Sequence, residues 1–168
     1  MSDSTHAQAA NDGLEKVWME LKKEWGCPCA TESMWAKKLG DNLYALRNVP
    51  FYAYGLSYDD RVQTEIRDEV RHVIKVVDRG GHSTYRIFTG LGRRNPAIHS
   101  LLERIHASGC EIEAANDKHV AIDIPPEIDV FSIYDLLEEA KKLGVWEFEE
   151  GHCGHPVSQR RPPPMIWA

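Results

Sequence analysis

The chain has 168 residues, 42% hydrophobic and 27% charged, enough for one domain of ordinary size or two very small ones. Its formal charge of −6 argues against non-specific nucleic-acid binding, because a polyanion rewards a positive surplus, while leaving room for a local basic patch. No apolar run approaches the roughly 18 residues that span a bilayer. Residues 1–13 lack the basic start and apolar stretch of a secretory signal.

A cytoplasmic protein with no membrane partner is therefore expected. Its four cysteines, Cys27, Cys29, Cys110 and Cys153, are expected as thiols or metal ligands rather than a disulfide framework.

Residues 1–13 are small and polar and read as a tail. From there to Gly81 the pattern is strands and turns. Val17, Met19 and Leu21 alternate with polar neighbours, a period of two. A second strand is expected over 33–38, turning at Gly40-Asp41-Asn42. A third runs over 43–49 and stops at Pro50. Val62, Thr64 and Ile66 alternate again, and residues 70–77 form a fifth strand before Asp78-Arg79-Gly80-Gly81. Five short strands at this spacing predict a small, strongly bent barrel over 14–81, with Trp35, Tyr44 and Phe51 helping to fill it. Trp18 and Trp25 are expected opposite or beyond the Val17-Met19-Leu21 face.

Beyond Gly81 helices alternate with strands. Residues 84–89 read as a strand. Asn95-Pro96 is a helix start, with Ile98, Leu101, Leu102 and Ile105 on one face and Gly109 as the stop. Two strands, 111–115 and 119–124, flank Asn116-Asp117-Lys118. Ser132 and Asp135 sit at capping-box spacing before a second helix carrying Ile133, Leu136, Leu137, Ala140 and Leu143 on its apolar face. Residues 145–149 make the last strand. This order, βαββαβ over 82–151, is that of a ferredoxin-like sandwich, so the fold class is α+β, a barrel-like unit followed by that sandwich. Residues 152–168, with Arg160-Arg161-Pro162-Pro163-Pro164, read as a tail. A polyproline II docking peptide and an inert solvated end are its two readings, and the apolar Met165-Ile166-Trp167 weighs against the second.

Three stretches in this order and spacing resemble a bacterial domain-of-unknown-function family, the DUF 4265 group. They are Glu32-Ser33-Met34-Trp35-Ala36, Leu46-Arg47-Asn48-Val49-Pro50-Phe51 with Gly55-Leu56-Ser57-Tyr58-Asp59-Asp60, and Gly81-His82-Ser83-Thr84-Tyr85-Arg86. The resemblance spans roughly 14–151 and implies a genuine domain without implying an activity. Where such proteins often carry Gly-Asp before the strand through Val62, this chain has Asp59-Asp60, a departure that bears on how tight that turn is.

Several constellations carry chemistry. Gly80-Gly81-His82-Ser83-Thr84-Tyr85-Arg86 is a turn that delivers an imidazole, hydroxyls and a guanidinium. His82 would serve as general base and Arg86 as the planar fork for an anion, with Ser83 beside them. The plainer reading is a hinge whose hydroxyls satisfy the backbone. Cys27, Cys29, His152, Cys153 and His155 form a zinc-compatible ligand set if the two chain ends meet. Asp59-Asp60 reads as a solvated turn or as part of an acidic binding surface. Tyr52, Tyr54 and Tyr58 around one loop have the composition of a protein-binding hot spot, or of aromatics that cover the seam between the two halves. An RNA-recognition reading fits poorly, because residues 119–124 offer no stacking aromatic and contain Asp123.

The expectation from sequence is a non-enzymatic module whose partner is another protein. By analogy of size and acidity it is a toxin-neutralising, immunity-type protein that meets a basic toxin by charge complementarity. The alternatives are a small enzyme acting on an anionic small molecule through His82 and Arg86, and a zinc-stabilised or nucleic-acid-binding module.

Overall fold

Alternating side chains set the first half of the molecule. A computed structural model describes residues 13–156, so the terminal features discussed above, apart from the polypeptide up to Pro156, lie outside the described residues. Five strands, β1 (Glu15–Glu20), β2 (Thr31–Gly40), β3 (Leu43–Leu46), β4 (Arg61–Arg67) and β5 (Val70–Asp78), follow in order. Successive strands pair antiparallel, and a parallel pairing of Trp18 with His72 joins β1 to β5 and closes the barrel. Val17, Met34, Ala36, Tyr44, Leu46, Val62 and Val73 fill it, one from every second position, as a pleated strand requires.

Three side chains depart from expectation. Trp35 stays half-buried outside, out of phase with Met34 and Ala36, with the Lys16 ammonium 5.1 Å from its ring. Phe51 leaves the barrel for the other half. Trp25 lies on a short 3-10 turn (Lys23–Trp25) that folds it back into the barrel core, against Tyr54. The third strand also ends at Leu46 rather than Val49, because residues 47–60 turn away from the barrel and cross to the second sheet.

The second half contains β6 (Ser83–Phe88), α1 (Pro96–Ala107), β7 (Glu111–Ala114), β8 (His119–Ile124), α2 (Val130–Lys142) and β9 (Glu147–His152). Its strands lie in the order β7-β8-β6-β9, all neighbours antiparallel, the ferredoxin-like arrangement. Both helices cover one face of the sheet. Ile98, Leu102 and Ile105 of α1 and Ile133, Leu137 and Ala140 of α2 share one core with Tyr85, Ile87, Val120, Ile122 and Phe148.

Asn95 caps α1 as its sequence implies, its side chain accepting from the Ala97 N–H at 3.0 Å, and Gly109 follows at φ 100. In α2 the cap is Asp129, not Ser132. The Asp129 carboxylate takes the Phe131 N–H and the Ser132 hydroxyl, so the helix begins a turn earlier and buries Val130. Leu143, expected on the apolar face, is 74% exposed, because it is already the C-cap.

Candidate functional site

The sheet face away from the helices is turned toward the barrel, and the side chains there are polar. By the period of two, Tyr85 and Ile87 face the helices while Thr84 and Arg86 face the barrel. Arg86 and Glu149 are both 0% exposed and pair at 2.6 Å through the Arg86 Nε. Arg86 Nη1 donates to the carbonyls of Ala53 (2.8 Å) and Pro50 (3.3 Å), and the Tyr54 ring lies 4.6 Å from the guanidinium carbon. The Tyr54 hydroxyl bonds Glu149, and burial beside that carboxylate raises its pKa.

From the barrel side, the Glu32 carboxylate accepts the N–H groups of Phe51, Tyr52 (3.0 Å) and Ala53 (2.8 Å). Burial raises the Glu32 pKa against these bonds. Residues 47–60 are thus held from both sides. The Nε and Nη1 of the fork assigned to Arg86 are taken by Glu149 and two backbone carbonyls, and its Nη2 is buried without a hydrogen-bond partner, out of reach of a ligand from solvent.

His82 sits at the other end of the seam. Its Nδ1 lies 2.8 Å from Oδ1 of Asp123, and its ring packs 5.2 Å from that of Tyr58. Asp123 is 4% exposed, and desolvation raises its pKa while His82 pulls it back down. Ser83 is fully buried. Its Oγ lies 2.6 Å from His155 Nδ1 and accepts from the Gly154 N–H at 2.9 Å. His155 Nε2 lies 3.0 Å from the Pro125 carbonyl, so Nε2 carries the proton and Nδ1 accepts from the hydroxyl. Ser83 clasps residues 153–155; its hydroxyl is engaged there.

Asp59 and Asp60 are engaged as well. Asp60 is 1% exposed and accepts from the Ser57 N–H (2.9 Å), the Gly80 N–H (3.1 Å) and Arg79 (2.8 Å). Asp59 pairs with Arg47 at 2.5 Å and has φ 62, the left-handed region where glycine is at home. That explains why a glycine suits this turn, which forms nonetheless. Of the three tyrosines, Tyr54 is spent on the buried pair. Tyr58 lies between His82 and Arg47, whose guanidinium carbon is 5.6 Å from the ring. Tyr52 lines a pocket.

The zinc set does not assemble. Cys27 directs its Sγ at the Tyr52 carbonyl (3.7 Å) and Cys29 is exposed, whereas Cys153 lies 3.6 Å from Ser83 Oγ. Among the described residues no group of three or more His, Cys, Asp or Glu side chains is placed to hold a metal ion. Burial raises the thiol pKa of Cys27, Cys29 and Cys153 and lowers the imidazole pKa of His152.

The pocket that Tyr52 lines has a volume of about 660 Å³. Phe88 and His119 form the rest of its aromatic lining, and Lys118, Glu147 and Asn116 bring polar groups to it. His119 is 5% exposed, stacked on Phe88 at 4.4 Å with Tyr52 edge-on at 5.1 Å and Phe51 at 5.6 Å. Burial, aided by the Arg86 charge, pushes its pKa down to about 4, and its buried Nε2 has no hydrogen-bond partner. Sequence reasoning passed over His119 as a strand residue. The available signal was its phase, since it shares the seam-facing register with Asp123 in β8.

Comparison with known proteins bears on the fold. A crystal structure described as "Novel crystal structure of a hypothetical protein from Neisseria gonorrhoeae" is similar with a TM-score of 0.72 and 18% identity, covering 84% of this chain and 96% of that one. No curated protein matches significantly. A family model described as "Domain of unknown function (DUF4265)" matches residues 32–148, most of both sheets, and the chain belongs to that DUF4265 family.

Proposed function

We propose that the chain is a non-enzymatic binding module that receives a protein partner at the pocket lined by Tyr52, Phe88 and His119. The observation that carries this reading is the pocket itself, an aromatic lining with Lys118 and Glu147 beside it, the composition of a protein hot spot. Its location differs from the loop tyrosines first considered, and Tyr52 is common to both. The net charge of −6 favours a basic partner, in keeping with a toxin-neutralising, immunity-type role, and disfavours nucleic acid.

Affinity capture from native cells with wild type and with Tyr52→Ser tests it. A basic protein retained by wild type and lost from the variant supports the reading. Identical retained proteins would remove it.

A second reading draws on the His82–Asp123 pair. A carboxylate that orients an imidazole is the usual support of a general base, here for a small enzyme acting on an anionic small molecule without Arg86. Turnover that survives His82→Gln would dismiss it.

A further inference from the structure

A second group of basic side chains lies away from the seam, at the start of α1. Residues 90–95 connect β6 to α1, and the hairpin 115–118 fixes their path. Gly92 has φ 81, and a Cβ there would lie 2.2 Å from Oδ2 of Asp117. The Arg93 N–H donates to the Asp117 carbonyl at 2.7 Å, so the two loops are laced together. This fixed loop presents Arg93 and Arg94 immediately before the first turn of α1.

On α1 itself, His99, Leu102, Glu103 and His106 recur at helical spacing and form one stripe. Loop and stripe, with Ile112 of β7, enclose a cleft of about 550 Å³. Two arginines and two histidines face one glutamate there, on a protein of net charge −6.

The guanidinium groups are under-used. The carboxylate that pairs with Arg93 is Asp117, only as near as 3.9 Å from Oδ1 to the buried Nε, and the Arg93 Nη groups have no hydrogen-bond partner among the described residues. Arg94 is exposed and has no ion pair or hydrogen bond among the described residues. His99 reaches Glu103 only at 3.8 Å. His106 Nδ1 donates to the Cys110 carbonyl at 3.1 Å, which fixes the ring at the cleft wall. Adjacent forks of N–H donors with open valences match phosphate oxygens in geometry and charge.

We propose that this cleft binds a small phosphate-bearing molecule, with Arg93 and Arg94 taking the phosphate and Leu102 and Ile112 the apolar remainder. The site is separate from the aromatic pocket and does not depend on a protein partner. Its size suits one compact ligand rather than a tracked nucleic-acid backbone.

The test is an NMR titration of the full isotope-labelled chain with inorganic pyrophosphate at low salt. Shifts are expected at residues 93, 94, 99 and 106. R93Q/R94Q should weaken binding by about tenfold or more, the loss of charge-assisted forks. R104Q, which removes an exposed α1 charge outside the cleft, should leave it unchanged. Thermal unfolding of each sample verifies the fold, and R94Q alone serves if the double variant fails it.

Absence of cleft shifts, undiminished binding in R93Q/R94Q, or an equal loss in R104Q would overturn the site. Tighter binding of a short single-stranded RNA through the same residues would overturn it in favour of nucleic acid.

Discussion

Replacing Arg86 by methionine removes a cation with 0% exposure from a carboxylate that is itself 0% exposed. Stranding one member of a buried pair costs about 3–5 kcal/mol. The Pro50 and Ala53 carbonyls also lose a shared donor, at about 1 kcal/mol each in buried surroundings, partly overlapping the first figure. We expect R86M to lose about 4 kcal/mol, a large part of the stability of a domain this size. Glu149→Gln keeps a hydrogen-bond acceptor but leaves the buried Arg86 cation without its counter-charge, and should lose about 3 kcal/mol. In R86M/E149Q no charge is left unpaired, so the double variant should be less destabilised than the sum of the single ones, with a coupling of about 2 kcal/mol. Urea unfolding followed by tryptophan fluorescence measures all three. Single losses below about 1 kcal/mol that simply add would refute the argument, because they would mean that water reaches the pair.

Other consequences are open to the same kind of measurement. His119, held at about 4 against an ordinary 6.5, is neutral in the fold, so its contribution is complete above 6.5 and is lost as pH falls toward 4, by about 3 kcal/mol in all. Buried carboxyls with raised pKa, such as Glu32 and Glu113, act in the opposite sense. The readout is therefore the difference between wild type and H119F, which should shrink over that window; a constant difference would contradict it. Gly80→Ala places a Cβ 2.8 Å from the Asp59 backbone and should lose about 2 kcal/mol in thermal unfolding, an overpacking penalty. Ser83→Ala removes the acceptor for the Gly154 N–H and should raise hydrogen exchange at residues 152–155 before it affects the barrel; unchanged protection would show that Ser83 does not clasp them.

Much of the fold was legible because local rules govern it. The alternation around Val17 and Met34 marks barrel strands, and Asn95-Pro96 with Gly109 brackets α1 within a residue or two. Leu143 and Ser132 were misjudged for a local reason: Asp129 caps α2 earlier than the Ser132 spacing suggests, and the helix ends before Leu143 can face the core.

The seam was illegible for a different reason. The polar phase of β6 and β9, which holds Arg86 and Glu149, looks the same in sequence whether water or a second sheet covers it. Only the approach of residues 47–60 distinguishes the cases, and the pair is 63 residues apart in the chain. The same blindness hid His119, whose aromatic neighbours come from β6 and the crossing loop. Asp59-Asp60 read as a solvated turn because nothing in the local pattern announces Arg47 and Arg79 as their partners, whereas Tyr54 lies at the seam, one of the two places its loop suggested.

The most direct test of partner recognition at the aromatic pocket is photo-crosslinking in native cells. A benzophenone amino acid replaces Tyr52 in one sample and Ile74, 47% exposed on the barrel, in another. The account predicts one discrete adduct with a basic protein from position 52 and none of that mass from position 74. No adduct at 52, or the same adducts at both positions, would contradict it.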